Sequence, residues 1–154
     1  PLEELPPPSR WTGVLAWGIP ALILLGVAWL GYQRGMEEVE ASALQWVLAT
    51  GTPTALAAAA SFAHPATVIA AFLAAPITTL SPLIGAGHVT ALVQAYFRPP
   101  FVRELSSVLD DLSSWRGLFR NRLLRILLVF VATSFGGMLG MWLGVSQLVA
   151  RLVQ

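Results

Sequence analysis

The chain alternates between long uncharged stretches and short charged ones. Residues 11–33, 41–97 and 126–150 contain no Asp, Glu or Arg. As helices rising about 1.5 Å per residue, the first and last stretches are long enough to cross a hydrocarbon core of about 30 Å. The middle stretch is too long for one crossing and must turn back. Its breaks are Gly51-Thr52-Pro53, His64-Pro65, Pro76, and Ser81-Pro82 followed by Gly85 and Gly87. Proline removes a backbone donor and clashes with the preceding turn, so each of these is an end or a kink. The pattern predicts membrane segments at about 11–33, 42–63, 65–80, 83–97 and 123–150. Segments 65–80 and 83–97 are short for full spans and are expected to be tilted, broken or re-entrant, which is tolerable where freed carbonyls face protein or water.

The stretch between the last two segments differs in kind. Phe101, Leu105, Val108, Leu112, Trp115 and Phe119 recur at spacings of four and three, leaving the charges on the other side. This is the stripe of an amphipathic helix over about 101–119, placed in the membrane interface or packed on its own bundle or a partner subunit. It sits within a cluster of six arginines, Arg98, Arg103, Arg116, Arg120, Arg122 and Arg125. Positively charged loops stay in the cytoplasm, so this cluster is expected there. Counting back, the N-terminus is cytoplasmic, and Glu37, Glu38 and Glu40 lie outside. Trp11, Trp29, Tyr32, Trp46 and Trp142 fall near segment ends, as an aromatic belt would.

Composition agrees with the pattern. Of 154 residues, 56% are apolar and 11% charged, against about 25% charged in a soluble domain. Seventeen charges cannot cover a water-exposed surface of this size. The net charge of +1 leaves no footprint for nucleic acid. The absence of cysteine excludes disulfides, thiolate metal sites and Cys nucleophiles. The expected fold is an all-α, polytopic membrane helix bundle of about five segments plus the interfacial helix, in the cell membrane, with the lipid bilayer as its partner.

Gly136, Gly140 and Gly144 lie on one face of the last segment, where a second backbone can approach closely. That approach is either packing within the chain or homodimerisation. His64 and His88 are the ionisable groups of the 41–97 stretch. Ionisable groups inside a membrane are candidate functional sites, but His64 before Pro65 also suits a helix cap. With Thr78, Thr79, Ser81 and Gln94 they form a candidate polar intramembrane site. His64 and His88 are also the only residues in the stretch that could ligate a metal. No catalytic motif is present, and no metal or cofactor is expected.

Three runs carry a family resemblance: 71–87 (AFLAAPITTLSPLIGAG), 95–104 (AYFRPPFVRE) and 117–129 (GLFRNRLLRILLV). With Trp17-Gly18-Ile19-Pro20 and His64-Pro65, they resemble the membrane region of the TraB/PrgY pheromone-shutdown family over essentially the whole chain. The resemblance implies a C-terminal transmembrane domain over 11–154. Residues 1–10, with Pro6-Pro7-Pro8-Ser9, would be the linker from a missing N-terminal soluble domain of peptidase-like type, which carries the family's metal-binding motifs. It also implies an acidic residue at position 94 in many relatives, where this chain has Gln94. The expected function is anchoring and assembly: this non-enzymatic domain holds the soluble domain at the membrane, as a homodimer, with a role in shutting down a peptide pheromone signal. The alternative is a transport or channel domain using Pro76–Gly87 with His64 and His88.

Overall fold

The structure, a computed structural model, describes residues 10–81 and 84–153. Residues 1–9 of the expected linker, and residue 83 at the expected start of the fourth segment, lie outside them. So does the side chain of Trp11, expected in the aromatic belt. All regular structure among the described residues is helical: α1 Arg10–Arg34, α2 Met36–Ala60, α3 Pro65–Thr78, α4 Ala86–Phe97, α5 Val102–Ser106, α6 Val108–Leu112, α7 Trp115–Arg120 and α8 Arg122–Val153.

Each helix boundary has a local cause. Gly35 alone joins α1 to α2, at φ +87°, a left-handed conformation natural to glycine. Helix α2 then opens with Glu37 and Glu38 in its first turn, where the helix dipole favours acidic groups. Helix α3 starts with proline at its first position behind the His64 cap. Helix α8 starts behind Asn121, whose Oδ1 accepts from the backbone N–H of Leu123 and Leu124 at 3.0 and 3.3 Å.

Helices α2, α3, α4 and α8 pack in a ring, each against the next, and α1 lies outside against α2 and α8. Helices α2 and α8 run antiparallel. Gly144 faces Trp46, Gly140 faces Ala49 and Thr50, and Gly136 faces Pro53 and Thr54. Of the two uses open to this glycine face, the structure realises packing within the chain. A Cβ at Gly140 would lie 2.7 Å from the Thr50 Cα and 2.9 Å from the Ala49 carbonyl oxygen. That carbonyl lacks its helical N–H partner because position 53 is proline. The same device recurs at Gly51, whose Cβ would lie 2.9 Å from the Phe72 carbonyl oxygen, the one deprived by Pro76. The carbonyls freed by Pro53 and Pro76 thus each face a glycine of the neighbouring helix, where only a residue without a Cβ fits.

Helices α3 and α4, with 14 and 12 residues, are about 21 and 18 Å long; α8, with 32 residues, is about 48 Å. The hairpin of α3 and α4 therefore ends part-way along the bundle. At its tip the Trp46 indole donates to the Pro76 carbonyl at 3.1 Å. Gly137, near the middle of the uncharged stretch 126–150, has the Ala86 Cβ 3.7 Å from where its own Cβ would be. Trp46 is consequently a bundle residue beneath the hairpin, not a belt residue.

Much of the interior is polar or small beside a few aliphatics such as Leu30 and Val129, and the exterior carries many large apolar side chains. Thr50, Thr54, Thr67, Thr90, Thr133 and Gln94 are completely buried, while Leu22, Leu92 and Trp142 are about 70% exposed. The threonines satisfy themselves: Thr50, Thr54, Thr90 and Thr133 each donate to the carbonyl four residues earlier at 2.7–3.0 Å. The Thr90 and Thr133 oxygens also stand 2.7 Å apart between α4 and α8, where one of the two hydroxyls turns its single proton from its own carbonyl to the other oxygen.

The five-span expectation stands only in coarser form. Among the described residues, one helix is long and apolar enough to cross a membrane by length and composition, Arg122–Val153, with mean hydropathy 2.0. Only 28% of its most apolar window is buried, so it is no enclosed core helix. The expected continuous helix over 101–119 is replaced by three short ones, α5 to α7. The chain bends at Ser107 and at Ser113-Ser114, and Gly117 then packs on the Asp111 carbonyl. Serine hydroxyls compete with the helical backbone for hydrogen bonds, and three serines interrupt this stripe.

Candidate functional site

The candidate polar residues separate into three places. At the Arg-rich end, Gln94 Oε1 accepts from the His64 backbone N–H at 2.8 Å and from the Thr67 hydroxyl at 2.9 Å. It ties the α2–α3 turn to α4. Its Nε2 is buried with no partner. His64 Nδ1 accepts from the Ala66 N–H at 3.2 Å, and its ring stacks on Phe97 at 4.7 Å. His64 is therefore a helix cap.

The second place is the hairpin tip. Thr78 donates to the Ala74 carbonyl at 3.0 Å and Thr79 to the Ala75 carbonyl at 2.8 Å, so both hydroxyls are turned onto their own helix. Ser81 Oγ accepts from the Ile84 N–H at 3.4 Å. His88 is exposed; its Nδ1 accepts from the Gly85 N–H at 3.3 Å, and its ring meets Phe130 edge-on. The two imidazoles thus cap two different helices at opposite ends of the hairpin. No group of three metal-ligating side chains occurs among the described residues.

The third place is one that sequence reasoning missed. Beneath the hairpin tip, α1, α2, α8 and the end of α3 line a half-open cavity of about 560 Å³ reaching to Arg151. Its walls are apolar, including Ile23, Val27, Ile77, Leu80 and Leu148. Ser42 Oγ and Gln147 Oε1, on two of its lining residues, are buried without partners. Arg151 pairs with Glu38 and donates to Gln45 at its far end. A mostly apolar cavity of this size with a few convergent polar groups has the character of a small-molecule pocket. The sequence signal was available in the isolated glutamines of otherwise apolar helices, Gln45 and Gln147, which a search confined to ionisable groups passes over.

A family model described as "TraB family protein, C-terminal domain" matches residues 11–153. The chain belongs to the TraB family. A relative, the uncharacterized protein MJ1365 of Methanocaldococcus jannaschii, is 32% identical over 110 residues. That match covers 70% of this chain but 28% of the relative, so the chain spans under a third of the length of the relative it matches. No solved structure matches.

In this TraB-family domain the arginine cluster is divided in use. Arg120 pairs with Asp111 at 3.2 Å. Arg122 lies over the Phe101 ring at 4.4 Å and donates to the Pro99 carbonyl. Arg125 donates to the Phe119 carbonyl. Arg98, Arg103 and Arg116 are exposed. Asp111, with a side chain only 12% exposed, receives 2.9 Å bonds from Asn121 and Ser107. These, with Arg120, hold its carboxyl below the ordinary 3.8. Asn121 also donates to the Glu104 carbonyl at 2.9 Å, so one amide fastens α5, α6 and the start of α8 together.

Proposed function

We propose that this is a membrane-embedded anchoring and assembly domain, which spans the bilayer several times and holds the soluble portion of a TraB-family protein at its cytoplasmic face. The observation that carries this reading is the distribution of polarity: many large apolar side chains cover the outside, while five threonines and Gln94 are completely buried among alanines, glycines and a few larger aliphatics. In water such a surface would drive aggregation; in lipid it is the favoured arrangement, because small residues and internal hydrogen bonds hold helices together there. The half-depth hairpin fits the same reading, since the Thr78 and Thr79 hydroxyls at the end of α3 are bonded to carbonyls of their own helix. The arginine cluster and the positive-inside rule assign the Arg-rich end, and with it the N-terminus, to the cytoplasm.

The reading gives the domain no reaction of its own. Any chemistry, and any role in peptide pheromone shutdown, belongs to the remainder of the protein. Homodimerisation is part of the proposal, and it would use lipid-facing side chains, since the glycine face is occupied by α2. A transport or channel role is the second reading. The half-depth hairpin and the cavity beneath it favour it; the self-bonded hydroxyls of Thr78 and Thr79 do not.

The test is alkaline carbonate extraction of membranes from cells expressing the chain. Anchoring predicts that it stays in the pellet until detergent is added; release by carbonate alone would contradict it. Solute flux through proteoliposomes above that of protein-free vesicles would favour the second reading.

A further inference from the structure

At the Arg-rich end, one open groove runs between the α2–α3 turn and the start of α8. Arg98 and Arg125 both line it, beside Phe62, Val68, Ile69 and Phe119. Both guanidiniums belong to this one groove, and neither is in an ion pair with a carboxylate among the described residues. The ion pairs among the described residues are Arg120–Asp111 and Arg151–Glu38. Arg125 spends one nitrogen on the Phe119 carbonyl and has its Nε buried without an acceptor. Arg98, at the end of α4, makes no side-chain hydrogen bond among the described residues. The opposite wall is apolar: Phe62 meets Phe119 edge-on at 5.4 Å, and Ile69 is 61% exposed.

Two like charges in one groove, one of them with a buried and unpartnered Nε, favour an anion between them. Guanidinium pairs suit phosphate oxygens in particular. A basic pocket between helices at the cytoplasmic end, continued by an apolar wall, matches an amphiphile with a phosphate head. We propose that this groove binds an anionic membrane phospholipid, its phosphate between Arg98 and Arg125 and its acyl chain along Val68 and Ile69. The proposal rests on the membrane reading above.

The experiment is thermal unfolding of the whole chain in uncharged detergent. Phosphatidylglycerol, phosphatidylcholine or inorganic phosphate is titrated in at matched concentrations. Saturable stabilisation by phosphatidylglycerol alone is expected. Arg98→Gln and Arg125→Gln should each weaken its apparent affinity by about tenfold or more, as losing a charged hydrogen-bond partner does. Arg103→Gln and Arg116→Gln remove the same charge outside the groove and should leave the affinity unchanged. Equal stabilisation by phosphatidylcholine, or equal loss in the Arg103 and Arg116 variants, would overturn the site in favour of diffuse attraction. Equal stabilisation by inorganic phosphate would overturn the lipid as its ligand. If Arg125→Gln does not fold, Arg98→Gln, which breaks no hydrogen bond within the described residues, decides the matter. A chain that carbonate has already released from membranes would overturn the membrane reading itself; loss of lipid selectivity in a carbonate-resistant chain overturns only this site.

Discussion

Gln94 shows how a single buried side chain can serve as a joint. Its oxygen receives the His64 N–H and the Thr67 hydroxyl, and no other acceptor replaces it. Gln94→Leu should leave both donors unsatisfied and lower stability by about 1–3 kcal/mol. Gln94→Glu keeps the acceptor and removes the unpartnered Nε2, so its loss should be smaller; thermal unfolding in detergent ranks the two. Gly140 is the second residue on which the bundle depends. Gly140→Ala places a Cβ against the Thr50 backbone, which cannot rotate away, and should destabilise by about 1–3 kcal/mol, measurable in the same assay. Ser146→Ala, at an exposed position of the same helix, should change little and serves as the control. Both Gln94 and the glycine face stood out in the sequence as residue types unusual for their surroundings. Their partners did not, because a spacing of four defines a face without naming what covers it.

At the scale of elements, the long helices were legible and the interrupted ones were not. The uncharged stretches located α1 and α8 to within a few residues, whereas α2 opens at Met36, six residues ahead of the expected 42, with Glu37, Glu38 and Glu40 inside it. Segments 65–80 and 83–97 were recognisable as short, but the depth at which they turn depends on tertiary contacts of Trp46 and Gly137. The stripe over 101–119 misled for a physical reason. A period of 3.6 is necessary for one helix, yet Ser107, Ser113 and Ser114 let the chain bend while keeping most of that stripe outward. The fastening of this segment has a pH dependence. Asp111 has its folded pKa depressed by Asn121, Ser107 and Arg120. Its contribution is therefore present above the ordinary carboxylate range and is lost as pH falls through the lower, folded value. Hydrogen exchange over 101–121 should accelerate below about pH 4, and Asp111→Asn should abolish that dependence.

The whole molecule is a helical bundle turned inside out relative to a soluble domain. Composition alone indicated a shortage of charge; the structure adds where the remaining polarity went, into threonine hydroxyls bonded to their own helices and into one buried glutamine. On the proposed membrane reading, that distribution follows from the solvent. Where the surroundings are apolar, the interior no longer needs the largest hydrophobic residues, and close backbone approach at Gly136, Gly140 and Gly144 takes their place. The cavity beneath the hairpin was not legible, since it forms only when α8 and the end of α3 close against α1 and α2, and it is lined mostly by unremarkable aliphatic residues.

If α2 and α8 cross the bilayer, the Glu38–Arg151 end and the Ser107 segment lie on opposite sides of it. The chain lacks cysteine, so Glu38→Cys and Ser107→Cys each provide a single label site. In sealed right-side-out vesicles, a membrane-impermeant maleimide should react with the Cys at position 38 and reach the Cys at position 107 only after permeabilisation. Labelling of both positions from the same side would contradict the account.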